Sequence, residues 1–137
     1  MSELVMYLNS ICTELKPSEV HGIGTFAFKY IPKGTLVFPH WEGYTGFHEL
    51  DITDIELDTG ILPILKKYFS VRENIMNVFL VQNVHFTSPW RHYVNNSLNP
   101  NLSSNGIALS NIKKNTEIVR NYNDKSMVSH PITITLI

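Results

Sequence analysis

A chain of 137 residues with 43% hydrophobic side chains fits one domain built on a single ordinary core. Eleven basic against twelve acidic residues give a formal charge of -1, so no overall field draws the chain to nucleic acid or to an anionic membrane. The one cysteine, Cys12, excludes an internal disulfide and any Cys-rich zinc site made by one chain; without a leader-like start or an apolar run of roughly 18 residues, a cytoplasmic protein with no membrane contact is expected.

In chain order, Val5 to Glu14 is mostly apolar and rich in strand-forming residues, and "KPSEVHG" breaks it, which predicts a first strand. Thr25 to Phe28 and Thr35 to Phe38 flank the turn signal at Pro32 and Gly34, which predicts a β-hairpin. Glu42 to Asp58 carries six carboxylates and no Lys or Arg, and reads as a solvated insertion. Ile61, Leu65 and Tyr68 recur at helical spacing, with Pro63 near the start where a helix tolerates it, so one short helix is expected over 61 to 71.

"IMNVFLV" and "VHFT" read as strands, as do Ile107 to Ser110 and Glu117 to Tyr122, which flank a basic turn at Lys113 and Lys114. The tail "ITITLI" alternates as a half-buried strand does. The fold class is therefore mainly β with one short helix, an α+β arrangement of several small sheets in a single domain over 1 to 137.

Three stretches carry candidate chemistry. In "HGIGTFA", Gly22 and Gly24 before a strand allow a tight turn and close approach of a ligand to the backbone, although taken alone the motif is better explained as an ordinary turn. "RHYVNNSLNPN" holds four asparagines, which taken alone make a polar loop, and "NTEIVRNY" taken alone is a strand ending in a half-buried Tyr. The six histidines form no H-x-H or i, i+4 pair, so no metal site is expected, and no Ser or Cys sits in an activated-nucleophile pattern.

In this order and spacing the three stretches resemble the SET domain, the fold of protein lysine methyltransferases, over about residues 17 to 123, with an insertion at about 42 to 75. "VHGIGTFAFKYIPKGTLVF" is similar to the family's opening. "RHYVNNSLNPN" looks like its R-F-I-N-H-S-C-x-P-N, with Asn95, Ser97, Pro100 and Asn101 in register and Arg91 one place before the family's Arg. "IKKNTEIVRNY" resembles its I-x-x-G-E-E-L-T-x-D-Y, keeping Ile112, Glu117 and Tyr122.

The resemblance implies a β-clip-like fold of small sheets whose C-terminal part forms a pseudoknot, and a cofactor, S-adenosylmethionine. By it, the backbone of His21, Gly22, Ile23 and Gly24 together with Asn95 would hold the methionine end, and the main chain of Asn96 would meet adenine. Tyr122 would be the catalytic residue, and Tyr68, Tyr93 and Arg120 candidates for the lysine channel. The implied partner is a lysine-containing, possibly basic protein or peptide, which the acidic 42 to 58 segment would attract.

The chain departs from the pattern at Asn96 (usually His), Leu98 (usually Cys), Asn115-Thr116 (usually Gly-Glu) and Arg120 (usually aromatic or aliphatic). Alternation along a strand puts Arg120 and Tyr122 on one face, where a cation repels lysine. A catalytically inactive SET-fold protein-binding module is therefore the alternative reading. No Cys cluster follows Tyr122, so closure of the site is expected from "HPITITLI" or from a second subunit in a homodimer.

Overall fold

The structure, a computed structural model, describes residues 3–58, 60–87 and 90–123. It is mainly β, with two small sheets and short helices among the described residues. None of those helices is long and apolar enough to cross a membrane.

The chain opens with helix α1, Glu3–Ser10, and only then enters strand β1, Thr13–Pro17. This corrects the strand expected from Val5. Val5, Leu8 and Ile11 recur every third residue and are buried, whereas Met6 is exposed. A three-residue recurrence makes one helical stripe and cannot make one face of a strand.

Strand β2, Ile23–Ala27, pairs antiparallel with β1 from Thr13↔Ala27 to Pro17↔Ile23. The hairpin expected between 25–28 and 35–38 does not form. The "PKG" turn is present, with the Thr35 N–H on the Pro32 carbonyl at 3.1 Å. Both edges of β2 are already taken, one by β1 and the other by strand β7, Glu117–Arg120. The second arm pairs instead with Ile107 through Leu36, and Ile31, just before the turn, pairs with Ile112. Ile107 to Ser110 accordingly makes isolated bridges and no strand.

Part of the expected acidic insertion is ordered sheet. Strand β3, Gly46–Asp51, buries His48 and Leu50 while Phe47 and Glu49 face out, an alternation that the carboxylate count hides. After helix α2, Ile61–Leu65, strands β4, Ser70–Arg72, and β5, Ile75–Leu80, complete a sheet ordered β3-β5-β4. "VHFT" is a bend rather than a strand, entered through a turn at Asn83, whose φ is 70°. The tail "ITITLI" lies outside the described residues.

Two buried clusters support this frame. α1, α2 and the inner face of the β3-β5-β4 sheet share one, around Leu8, Ile61, Leu65, Met76 and Val78. The other lies under β2 and β7, where Ala27, Ile31, Phe38, Trp90, Val94 and Ile118 meet. Phe38 and Trp90 stack with ring centroids 4.3 Å apart. This second cluster is the floor on which the candidate site is built.

Candidate functional site

The first sheet runs β1-β2-β7-β6, with β6, Asn95–Asn96, parallel to β7. A short 3-10 helix, Trp90–Tyr93, delivers the chain into β6, and the Thr25 hydroxyl fixes its end by donating to the Tyr93 carbonyl at 2.9 Å. The segment after β6 then folds back along β7. Asn101 acts there as a piece of strand made from a side chain: its amide donates to the Glu117 carbonyl at 2.9 Å and accepts the Val119 N–H at 2.9 Å.

Asn95 is buried, and its amide nitrogen lies 3.1 Å from the His21 carbonyl, 2.8 Å from Glu117 Oε2 and 3.1 Å from Ser18 Oγ. Three acceptors thus converge on a group with two hydrogens. The Ser18 hydroxyl in turn meets both Glu117 oxygens at 2.8 and 2.9 Å, and its oxygen accepts the N–H groups of Val20 and His21. Gly24 makes this possible, because a Cβ there would strike the Glu117 carboxylate and the Ser18 Cβ. Gly22 has a φ of 48°, a left-handed turn with open space where a Cβ would stand.

Next to this knot, Asn96 Oδ1 accepts the Tyr122 N–H at 2.7 Å, and the Tyr122 hydroxyl donates to the Val94 carbonyl at 2.8 Å. The ring, half exposed, is therefore held at both ends. The Arg120 guanidinium lies over it, with Cζ 4.6 Å from the centroid, and Arg120 Nε is buried with no hydrogen-bond partner. Asp124, the carboxylate that could draw Arg120 away, is outside the described residues. Burial first and the nearby Arg120 charge second pull Arg91 below the ordinary guanidinium value.

The structure thus gathers His21, Gly22, Gly24, Asn95, Asn96, Arg120 and Tyr122 in one region, with Ile23 exposed at the start of β2. Tyr68 is not among them. Its hydroxyl accepts the Leu15 N–H at 2.8 Å on the outer edge of β1, two strands from β7, and its ring packs on Phe86. It covers a free sheet edge there, apart from the residues gathered around Tyr122. Tyr93 contributes its carbonyl to the Thr25 contact, and its ring is half-buried.

Sequence reasoning missed Ser18 and the role of Glu117. A Ser three residues before the turn suits a turn in which the hydroxyl takes up following N–H groups, and that was the available signal for Ser18. Glu117 was matched only as a position of the resembled motif, since its role comes from lying across the sheet beside a glycine.

No family model matches the chain, and no curated protein matches its sequence. Among solved structures it is similar to a Plasmodium falciparum protein assigned as a histone methyltransferase, at 19% identity and a TM-score of 0.41, covering 82% of this chain and 93% of that one. It is also similar to the methyltransferase domain of human PR domain-containing protein 2, at 21% identity and a TM-score of 0.38, covering 81% and 76%. Likeness at this level leaves fold family and activity to be argued from the chain's own residues.

Proposed function

We propose that the chain is an S-adenosylmethionine-dependent methyltransferase of the SET type, acting on the side-chain amine of a protein lysine. The observation that carries this reading is the reach of Asn95, which joins β6 to the Gly-x-Gly turn through the His21 carbonyl, 74 residues away in sequence, directly beside the Asn96 to Tyr122 contact. The parallel pairing of β6 with β7, with residues 101–109 folded back over β7 and against 34–37, supports the pseudoknot.

The residues fit the cofactor. The turn at Gly22 is open on its outer side, and the Glu117 carboxylate and His21 carbonyl beside it meet only neutral donors, so an ammonium group of the methionine type would find acceptors there. The backbone of His21 to Gly24 and the side chain of Asn95 would hold that end, and the main chain of Asn96 would meet adenine. When bound, the cofactor supplies an electrophilic methyl group on a positively charged sulfur.

Alignment and exclusion of water are then the tasks of the chain. Lysine attacks only as the neutral amine, and its ordinary pKa of about 10.4 must fall for it to do so at neutral pH; a dry channel beside positive charge lowers it. The Tyr122 hydroxyl gives its hydrogen to Val94, which leaves its lone pairs to accept an N–H of the incoming amine and aim it. In this reading the partner is a lysine-bearing protein in the cytoplasm, and a second copy of the chain or the tail closes the site.

Arg120 favours a second reading, a SET-type binding module without turnover, because its guanidinium lies over the Tyr122 ring where an ammonium would approach. Calorimetry with S-adenosylmethionine and a methyl-transfer assay on lysine peptides separate the two. The enzyme reading expects cofactor binding and turnover, with Tyr122→Phe losing turnover but keeping binding. Absence of heat at millimolar cofactor defeats it.

A further inference from the structure

On the face of the first sheet away from the second buried cluster lies a cavity of about 520 Å³ lined by Lys16, Pro17, Glu19, Val20, Phe26 and Glu117. Strand alternation explains the membership. Thr25 and Ala27 turn into the floor, so Phe26 turns out, opposite Glu117 on β7. The ring of Phe26 already carries a cation, with Lys16 Nζ 4.8 Å from its centroid.

Neither carboxylate of the cavity is in an ion pair: among the described residues the ion pairs are Lys29 with Asp58 and Lys67 with Glu14. Glu117 is tied to Ser18 and Asn95 through neutral donors only, so its charge is solvated by hydrogen bonds and left uncancelled. Pro17 and an exposed Val20 add apolar wall at the entrance. An aromatic face, two uncancelled carboxylates and a short apolar wall are what a long cationic side chain requires, the stem lying on the wall and the head between ring and carboxylate.

We propose that this cavity seats the lysine or arginine side chain of a basic peptide, with Lys16 as its intramolecular stand-in. An incoming cation replaces Lys16 on the Phe26 face and gains Glu19 and Glu117, while the Lys16 head moves into water. The ring thereby exchanges one cation for another, and the net gain is electrostatic. The site shares Glu117 with the proposed cofactor-binding knot but includes neither Tyr122 nor Asn96, so its occupancy is read without cofactor or turnover.

The test is a nuclear magnetic resonance titration of the full chain with N-acetyl-lysine methylamide, following Phe26 ring and Val20 methyl signals, with N-acetyl-norleucine methylamide as the neutral control. Saturable shifts are expected with the lysine compound only. Lys16→Met removes the competing cation from the ring and is expected to tighten binding about threefold, and Phe26→Leu to weaken it by a similar factor. Lys16→Met alone carries the test if Phe26→Leu does not fold. The proposal is overturned by shifts that do not saturate, by equal shifts with the norleucine compound, or by a Lys16→Met variant that binds as the parent does. Because no cofactor is present, these outcomes are independent of whether the chain transfers methyl groups.

Discussion

Asn101 pairs with Val119 through both its main chain and its side chain: its N–H donates to the Val119 carbonyl at 3.1 Å, and its Oδ1 accepts the Val119 N–H at 2.9 Å. With the further bond from its amide nitrogen to the Glu117 carbonyl, one side chain extends the pairing of β7 from Val119, which β6 reaches, to Glu117, which it does not. Nothing else of the same length presents a donor and an acceptor in that relation. Asn101→Ala therefore leaves two backbone groups of β7 without partners and is expected to cost about 2 kcal/mol. Urea unfolding of the variant measures this; Asn101→Asp, which loses the donor, should be no better tolerated, and parent-like stability in both would remove the strand-mimic role.

Gly24 and Gly22 make a paired prediction. A Cβ on Gly24 enters the Glu117 carboxylate and Ser18, so Gly24→Ala must push Glu117 away from Asn95. A Cβ on Gly22 meets nothing, and Gly22→Ala suffers only from its φ of 48°, at roughly 1 kcal/mol. S-adenosylmethionine binding should thus fall steeply in Gly24→Ala and modestly in Gly22→Ala, although both remain folded. Calorimetry compares them, and equal losses in the two would show that the Glu117 position does not matter to the site.

Much of this site was legible because its ends are fixed by residues with little choice. A left-handed turn wants Gly22, a strand-edge amide wants Asn, and Asn115, which stands where the resembled family has Gly, has a left-handed φ of 71°. What escaped was decided across space. Whether Thr35 to Phe38 paired with β2 depended on β7 occupying that edge, and the place of Tyr68 depended on β1 being an edge strand. The helix α1 was missed for another reason: strand propensity outvoted a three-residue recurrence of Val5, Leu8 and Ile11 that was present in the sequence.

Arg120 is the residue on which the proposed activity turns. Its guanidinium covers a face of Tyr122, and among the described residues it forms no ion pair. Replacing it by Met keeps a flexible stem in the same place and removes the charge. Arg120→Met should raise turnover on lysine peptides about tenfold or more, as removal of one nearby like charge in a partly dry site is worth on the order of 1–2 kcal/mol. A steady-state assay at saturating cofactor reads this out. If Arg120→Met instead lowers turnover, the arginine assists the acceptor rather than repelling it.

His85 gives the fold a pH dependence of definite sign. Its side chain is almost fully buried between Phe38 and Phe86, and Nδ1 accepts the Thr87 N–H at 3.1 Å, so the neutral ring carries its proton on Nε2, an atom without a hydrogen-bond partner. Burial first, and the neighbouring His40 second, push its pKa down to about 3 from an ordinary 6.5. A group whose folded value lies below its unfolded value binds protons preferentially when unfolded. Its contribution to stability is therefore complete above about pH 6.5 and is lost progressively as the pH falls toward about 3. From pH 6.5 to 5 the loss attributable to this one ring is about 2 kcal/mol. Urea midpoints at pH 7 and pH 5 test it, with His85→Gln expected to be less stable at pH 7 but flatter between the two. A variant whose midpoint falls as steeply as the parent's would assign the acid sensitivity to other groups.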